Sequence, residues 1–416
     1  MPIKRKIFID RADRLQRMPV PTDTDLDRIA VRLQKRGVDV IDLAGDAVDV
    51  REAVAALDMT ADADHWRQAG DDDLARLRVA VSEWYGSRFG IRLDPRLEIE
   101  VVPNAFVGLC FLTLAFVDVG DVVLLPDPGR PMYRSAVALA DGGVVPYHLW
   151  ERNDFLPSLP GVEAGLAGRV RLMIVCYPHD PTAAMADLSV FTQAVAFARR
   201  QNILIVFDGS YSHGTFGPVR PRGLLEAKGA RGVGVEIFPF DTNFGISDVP
   251  LTVIAGNRDA VNAVSFLVQA TGLCPQRGAV HAALTLLEHA DRHIEERSRQ
   301  LEEPRRILAE TFSELRLAPR SSPTAPFLWV SVPAAVGAEG FARRLLRRAG
   351  VRTRPGTIYG ERGEGFVRVS IPDSTEVANE VAGRIRKHAH LYQRRIPRER
   401  RLGARRRQSR GETDTQ

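Results

Sequence analysis

Apolar and polar positions along this chain follow two periods. From Leu74 to Gly90 (LARLRVAVSEWYGSRFG) apolar residues recur at steps of three and four, at Leu74, Leu77, Val81 and Trp84. That spacing puts them on one face of a helix. Further on, short and nearly continuous Val/Ile/Leu runs appear: DVVLLPDP (121–128), GVVPYHL (143–149), VRLMIVCYP (170–178), NILIVFDG (202–209), VGVEIFPF (233–240) and LTVIAG (251–256). Runs of this length without alternation predict strands buried on both faces of a largely parallel sheet. Helical stretches such as LSVFTQAVAFARRQ (188–201) separate them. The pattern predicts a large α/β domain with its ligand site at the carboxyl ends of the strands.

Outside this region the pattern changes. The first 50 residues predict an arm, with a helix, a short strand (VDVIDL, 38–43) and a Gly-Asp turn. After about residue 290 a long helix (RHIEERSRQLEEPRRILAETFSEL) leads to strands FLWVSV and FVRVSI and helices GFARRLLRRAG and STEVANEVAGRIRKHA. The expected organisation is an arm at 1–50 that joins a small domain at 291–393, a large α/β domain at 51–290, and a basic disordered tail at 394–416.

Charge alters this picture only at the end of the chain. The formal charge of the 416 residues is +5, but residues 394–416 hold nine arginines against three acids. The rest of the chain is close to neutral. A basic, apolar-poor tail reads as solvated, and no basic run in the body matches it, so nucleic-acid binding is not expected. No apolar run is long enough to span a bilayer, and the charged N-terminus lacks the apolar core of a signal peptide. Cys110, Cys176 and Cys274 are scattered among apolar residues without metal spacing, which predicts buried thiols. These features predict a cytoplasmic protein. There are five lysines, Lys4, Lys6, Lys35, Lys228 and Lys387.

The order of GVDVIDL, LRVAVSEWYGSRFG, LAFVDVGDVVLLPDPGRPMY, FLPSL, YPHDPTA, AVAFARRQNILIVFDGSY, FLWVSV, LLRRAGVRTRPGTIYG and GEGFVRVSI resembles the class I/II aminotransferases. These are fold-type-I pyridoxal-phosphate enzymes, and the LL-diaminopimelate-aminotransferase-like branch looks most similar. The resemblance covers roughly residues 10 to 390. It implies a large domain with a mainly parallel sheet between helices, and a small α+β domain formed by the N-terminal arm and C-terminal segment. It further implies active sites at a two-fold dimer interface. A lysine would form the Schiff base, an aspartate would pair with the pyridinium nitrogen of an electron-sink cofactor, and an arginine would bind the substrate carboxylate bidentately. By position, Asp208 matches that aspartate, Tyr211 the tyrosine at the cofactor's phenolic oxygen, and Arg368 the carboxylate arginine.

Elsewhere the sequence departs from the family's pattern. In FPFDTNFGISDVP (238–250), Thr242 stands at the lysine position, and threonine has no amine with which to form an imine. Pro239 and Asp241 replace two serines, and Pro250 replaces an arginine of the phosphate cup. The phosphate turn reads Asn104-Ala105-Phe106-Val107-Gly108, without its hydroxyl. Asp180, in HDPTA, replaces the asparagine near the phenolic oxygen. Arg130, in PGRPMY, replaces the ring-stacking aromatic. None of the five lysines is placed to substitute, since Lys228 precedes the strand whose far end carries Thr242. A phosphate ester brings a charge of about −1.5 to −2, and the altered cup meets it with a carboxylate. Pyridoxal phosphate binding is therefore expected to be weak or lost, and no catalytic residue is retained.

His179 and His213 flank the inherited site and are read as histidines without a role. The acids Asp180, Asp208 and Asp241 with His179 have no metal-ligand spacing, and Trp66 is read as packing. Four functions stay open. The first is an inactive aminotransferase-like protein acting as a homodimer, or as a heterodimer with an active paralogue. The second is a lysine-independent enzyme holding a small carboxylate on Arg368, with Arg130 assisting and Asp180, Asp208 or a histidine as acid or base. The third is a conventional transaminase. The fourth is a regulator that binds nucleic acid through its tail.

Overall fold

The computed structural model describes residues 10–18, 24–45, 67–159, 168–213, 219–246, 249–322 and 324–389. Strands β1 to β13 are Ile41–Asp42, Ile99–Val102, Val122–Asp127, Gly143–His148, Val170–Cys176, Leu204–Asp208, Gly234–Pro239, Thr252–Gly256, Pro319–Ser321, Phe327–Ser331, Val351–Arg352, Arg354–Pro355 and Phe366–Ser370. Helices α1 to α7 are Asp13–Arg17, Thr24–Gln34, Asp71–Phe89, Ala105–Phe116, Pro131–Leu139, Leu188–Gln201 and Phe240–Phe244; α8 to α12 are Arg258–Thr271, Arg277–Glu288, Ala290–Glu314, Ala338–Ala349 and Thr375–Lys387.

Seven strands form the large sheet in the order β2-β8-β7-β6-β5-β3-β4. Only β8 runs antiparallel to its neighbours, β2 and β7; the other pairings are parallel. The unbroken apolar runs follow from this layering. Leu124, Met173, Val175, Ile205, Phe207 and Phe238 enter one apolar cluster. Their alternate neighbours Val123, Leu125, Leu172, Ile174, Val206 and Ile237 enter another on the opposite face. With both faces covered, no polar alternation can appear, and each fully buried side chain of this kind contributes about 1.5–3 kcal/mol.

The smaller domain is a four-stranded antiparallel sheet, β12-β13-β10-β9. The N-terminal arm joins it: β1 pairs in parallel with β11, and Leu26, Ile29, Ala30 and Leu43 share one core with Leu345, Leu346, Val367 and Ile385. The expected two-domain architecture is thus the observed one. Two details differ from the sequence expectation. The short arm strand is only Ile41–Asp42, and the run VGVEIFPF ends as strand at Pro239, with Phe240 opening α7. The sequence reading named no helix at AFVGLCFLTLAF; α4 forms there, apolar all round, and packs its middle against the sheet, α5 and α8 while Phe106 and Leu114 stay exposed. Trp66, Lys4, Lys6 and the tail at 394–416 lie outside the described residues. Among the described residues no helix is long and apolar enough to cross a membrane.

Candidate active site

The chain leaves the carboxyl ends of β3, β5, β6 and β7 in four turns that converge, as the strand order predicts for an α/β sheet. The turn after β3 carries Arg130 just before Pro131 opens α5. The turn after β5 carries His179 and Asp180, β6 ends in Asp208, and β7 runs into Asp241 and Thr242 at the start of α7. From the small domain, β13 contributes Arg368, which lies opposite Trp329 of β10.

Asp208 is buried, and both of its oxygens are engaged. Oδ2 accepts from Arg130 Nη1 at 2.9 Å and from Tyr133 Oη at 2.6 Å. Oδ1 accepts from Ser210 Oγ at 2.5 Å and from the Ser210 amide at 3.1 Å. Arg130 Nη1 also donates to Ser210 Oγ at 2.8 Å. Burial alone pushes the Asp208 carboxyl up, but the Arg130 charge and the hydrogen bonds from Ser210 and Tyr133 outweigh it, holding it below the usual carboxylate range. Arg130 is correspondingly held well above its ordinary value: burial opposes its charge, and Asp208 leads the neighbours that favour it.

A second pair continues the chain of charges. Arg368 Nε donates to Asp180 Oδ1 at 3.0 Å and Nη2 to Oδ2 at 3.4 Å, both side chains being buried. Tyr211 Oη donates to Asp180 Oδ2 at 3.3 Å, and Arg130 Nε lies 3.8 Å from that oxygen. The Arg368 guanidinium sits 4.0 Å above the Phe327 ring and also donates to the Gly45 carbonyl at 3.1 Å. The sequence Asp208–Arg130–Asp180–Arg368 is therefore a continuous run of alternating charges from the large sheet into the small domain. Its two cations and two anions balance.

The neighbouring segments add no cation. Asp241 is mostly buried, its carboxyl raised by that burial, and its Oδ1 accepts from the Thr242 amide at 2.6 Å. Asn104 caps α4, its side chain accepting from the Val107 amide at 2.9 Å. Pro250 is exposed, and Lys228 is exposed in the connection before β7, while Thr242 lies beyond the far end of that strand, within α7. Among the described residues no group of three or more His, Cys, Asp or Glu side chains is arranged to hold a metal ion.

The structure brings Arg130, Asp180, Asp208, Tyr211 and Arg368 together. Both histidines lie in the turns that follow β5 and β6, and both are buried. His179 Nδ1 lies 2.8 Å from Thr182 Oγ1, and burial pushes its imidazole down to about 3. His213 stacks on Phe238 at 3.9 Å between ring centres and sits 3.3 Å from Tyr85 Oη. Sequence reasoning missed Tyr133 and Ser210. The signals were present: Tyr133 follows Arg130 by three residues at a helix start, and Ser210 follows Asp208 at the spacing of an Asx turn.

Residues 39–385 match the family described as "Aminotransferase class I and II". The chain belongs to this family. It is 34% identical over 385 residues to the LL-diaminopimelate aminotransferase of Desulforudis audaxviator, covering 90% of this chain and 97% of that protein. It is 30% identical over 383 residues to the LL-diaminopimelate aminotransferase of Moorella thermoacetica, covering 91% and 98%. Among solved structures, the fold matches substrate-bound BacF from Bacillus subtilis with a TM-score of 0.83 at 24% identity, covering 92% of this chain and 98% of that one. It matches aspartate aminotransferase from Thermotoga maritima with a TM-score of 0.81 at 24% identity, covering 91% and 100%. These matches extend along both domains, so the aminotransferase architecture, and the pyridoxal phosphate dependence of the family as a whole, apply to the chain's lineage.

Proposed function

We propose that this chain is an aminotransferase-fold protein that does not carry out lysine-dependent transamination. It acts as a dimer partner or accessory protein, in a homodimer or beside an active paralogue. The observation that carries this reading is the closed run of charges Asp208–Arg130–Asp180–Arg368. By the family's pattern Asp208 would face a pyridinium and Arg368 a substrate carboxylate. Here Arg130 supplies the cation and Asp180 the anion.

On this reading the residues do not fit pyridoxal phosphate. A ring approaching Asp208 meets the Arg130 guanidinium. Its phosphate meets Asp241 and the end of α4 that Asn104 already caps, with no guanidinium or ammonium among the described residues placed to neutralise it. Thr242 offers no amine, and the described lysines Lys35, Lys228 and Lys387 are exposed or lie at the end of α12. The three cysteines are free thiols, in keeping with the reducing cytoplasmic compartment we assign to the protein.

The relatives favour a different reading, a pyridoxal-phosphate-dependent aminotransferase, because the proteins it resembles are named for that activity. Such a reading requires a lysine amine within reach of a pyridoxal aldehyde. The lysine-independent enzyme acting on a small carboxylate requires Arg368 to exchange Asp180 for its substrate.

Titrating purified full-length protein with pyridoxal phosphate, followed by borohydride reduction and peptide mass mapping, separates these readings. We expect no saturable visible band and no lysine adduct. A band with a reduced adduct on any lysine overturns the proposal in favour of transamination. Native mass spectrometry of the protein mixed with an active class I/II aminotransferase of the same genome tests the partner role.

A further inference from the structure

The small domain gathers cations that the sequence scatters. On α2, Arg28 and Arg32 are exposed, and Arg36 continues their four-residue step in the turn just past the helix. On α11, Arg344 and Arg348 repeat that step, with Arg347 beside them, all three exposed. The two helices share an apolar core through Ile29, Ala30, Leu345 and Leu346. Where they meet, a groove of about 360 Å³ is lined by Ile29, Arg32, Leu33, Arg36, Arg347 and Arg348. Its floor is apolar, with Ile29 buried and Leu33 half-buried, and its walls are cationic. A second hollow of about 300 Å³ shares Arg347 and Arg348 and adds Arg343 and Arg344. The groove has the size of a site for a small molecule.

No carboxylate lines the groove among the described residues. The acids around it are engaged elsewhere: Asp25 pairs with Arg343 at 3.0 Å, Asp27 and Asp42 pair with Arg352 at 2.5 and 2.7 Å, and Asp39 and Glu380 pair with Arg384. Glu339 lies in the first turn of α11, at the far end from Arg347 and Arg348. Among the described residues Arg36, Arg347 and Arg348 have no carboxylate partner, and Arg32 reaches only the Arg28 carbonyl, at 3.0 Å.

Ordinary surface roles do not account for this grouping. A cation in the last turn offsets a helix dipole, but one per helix suffices for that, and Arg36 lies past the end of α2. Solubility is served by charges of both signs interspersed over the surface. Like charges one helical turn apart repel, so gathering them in one concave place is unfavourable until an anion arrives from outside the chain.

We propose that this groove binds a small molecule carrying two or more phosphate groups in a row, as in an inorganic polyphosphate or a nucleoside polyphosphate. Arginine presents a planar fork that matches phosphate oxygens, and all four cations of the groove are arginine. A lone phosphate carries about −1.5 to −2 charges, which leaves two of the four unmatched. Adjacent phosphates meet all four. Carboxylates bring one charge per group, so an equal charge needs more room. Ile29 and Leu33 give a nucleoside attached to the phosphates an apolar surface. The bound anion bridges the N-terminal arm, through α2, to α11, and so ties the arm to the small domain. No basic run announces the site in the sequence, because the fold assembles it from helices at opposite ends of the chain.

The test is isothermal titration calorimetry of the full-length protein with sodium tripolyphosphate, ATP, orthophosphate and citrate, at low and at physiological salt. Tripolyphosphate and ATP should bind saturably and roughly tenfold or more tighter than orthophosphate or citrate, with affinity falling as salt rises. Saturating tripolyphosphate should also raise the melting temperature by mass action. The variant R32Q/R36Q/R347Q/R348Q should bind tripolyphosphate roughly tenfold or more weakly than the parent, and R36Q/R348Q should fall between them. A control, R76Q/R96Q/R292Q/R299Q, removes four exposed arginines of other surfaces and should bind like the parent. Circular dichroism should show all three variants folded. ATP binding more tightly than tripolyphosphate would show that the nucleoside rests on the apolar floor, and equal binding that the phosphate chain alone is held; both support the site. The proposal is overturned by no saturable tripolyphosphate binding at low salt, by a groove variant that binds like the parent, or by a control weakened as much as the groove variant. It is equally overturned by orthophosphate or citrate binding as tightly as tripolyphosphate, or by a mixed-sequence DNA duplex binding more tightly per phosphate. These variants leave every residue of the inherited site in place, so the outcome is independent of the cofactor titration.

Discussion

Two clusters of arginine in this molecule behave in opposite ways. At the ends of the central strands, Arg130 and Arg368 are buried and each is held by a carboxylate of the same chain. Just past α2 and on α11, Arg36, Arg344, Arg347 and Arg348 are exposed and hold none among the described residues. Burial explains the contrast. Moving an unpaired charge out of water costs several kcal/mol, so an interior arginine requires an internal anion. An exposed arginine stays solvated and can wait for an external one. The place where the family's ligands would bind is thus electrostatically complete, and the place that is incomplete lies elsewhere.

The largest way to break this comparison is to remove one member of the buried run. Arg130→Ala leaves Asp208 buried without its cation and should cost about 3–5 kcal/mol, read as a lower urea midpoint. A loss below about 1 kcal/mol would mean that the pair is not neutralised internally as described. The acid limb should also reverse sign at this residue. In the parent, the depressed Asp208 pKa contributes stability that is present above the unfolded-state value and lost as pH falls through the folded one.

The next effect comes from His179. Its folded value near 3 lies below the ordinary 6.5. Between those values the unfolded chain binds a proton that the native protein does not, so stability falls as pH falls through this window. The slope is about 1.4 kcal/mol per pH unit. His179→Gln should flatten that limb in pH-dependent urea titrations, whatever it does to absolute stability.

Asp180→Asn sharpens the comparison rather than breaking it. Losing a charged hydrogen-bond acceptor for Arg368 should cost about 1.5–3 kcal/mol. It should also make the inherited site accept an external anion: a small dicarboxylate should raise the melting temperature of the variant and leave the parent unmoved. Equal shifts in both proteins would show that Asp180 does not occupy the arginine's ligand position. The smallest effect is the control. The exposed pair Arg343–Asp25, with side chains 41% and 53% accessible, should contribute only about 0.2–1 kcal/mol in a double-mutant cycle.

The two-domain fold was legible in the sequence because strands buried on both faces leave unmistakable apolar runs, as at VRLMIVCYP and NILIVFDG. Helix α4 was hidden for the same reason in reverse: a segment apolar all round has no period to detect. Motif order singled out Arg130, Asp180, Asp208, Tyr211 and Arg368, and the fold brings these residues together. Their pairing was not legible, since nothing in PGRPMY or HDPTA says that the arginine reaches Asp208 at 2.9 Å or that the aspartate meets Arg368 at 3.0 Å. Such contacts depend on how four strand ends and a second domain come together. The arginine groove was invisible for a related reason, because α2 and α11 become neighbours only after the N-terminal arm docks on the small domain.

The alternating run of buried charges also has an evolutionary consequence. Restoring an aromatic at Arg130 alone strands Asp208, and restoring asparagine at Asp180 alone leaves Arg368 and Arg130 facing each other with no anion between them. Each single step back toward the family's pattern passes through a less stable protein. Inserting a lysine at Thr242 repairs neither. On the function proposed above, the four residues form an epistatic ratchet: each buried charge holds its neighbour in place while the surface drifts.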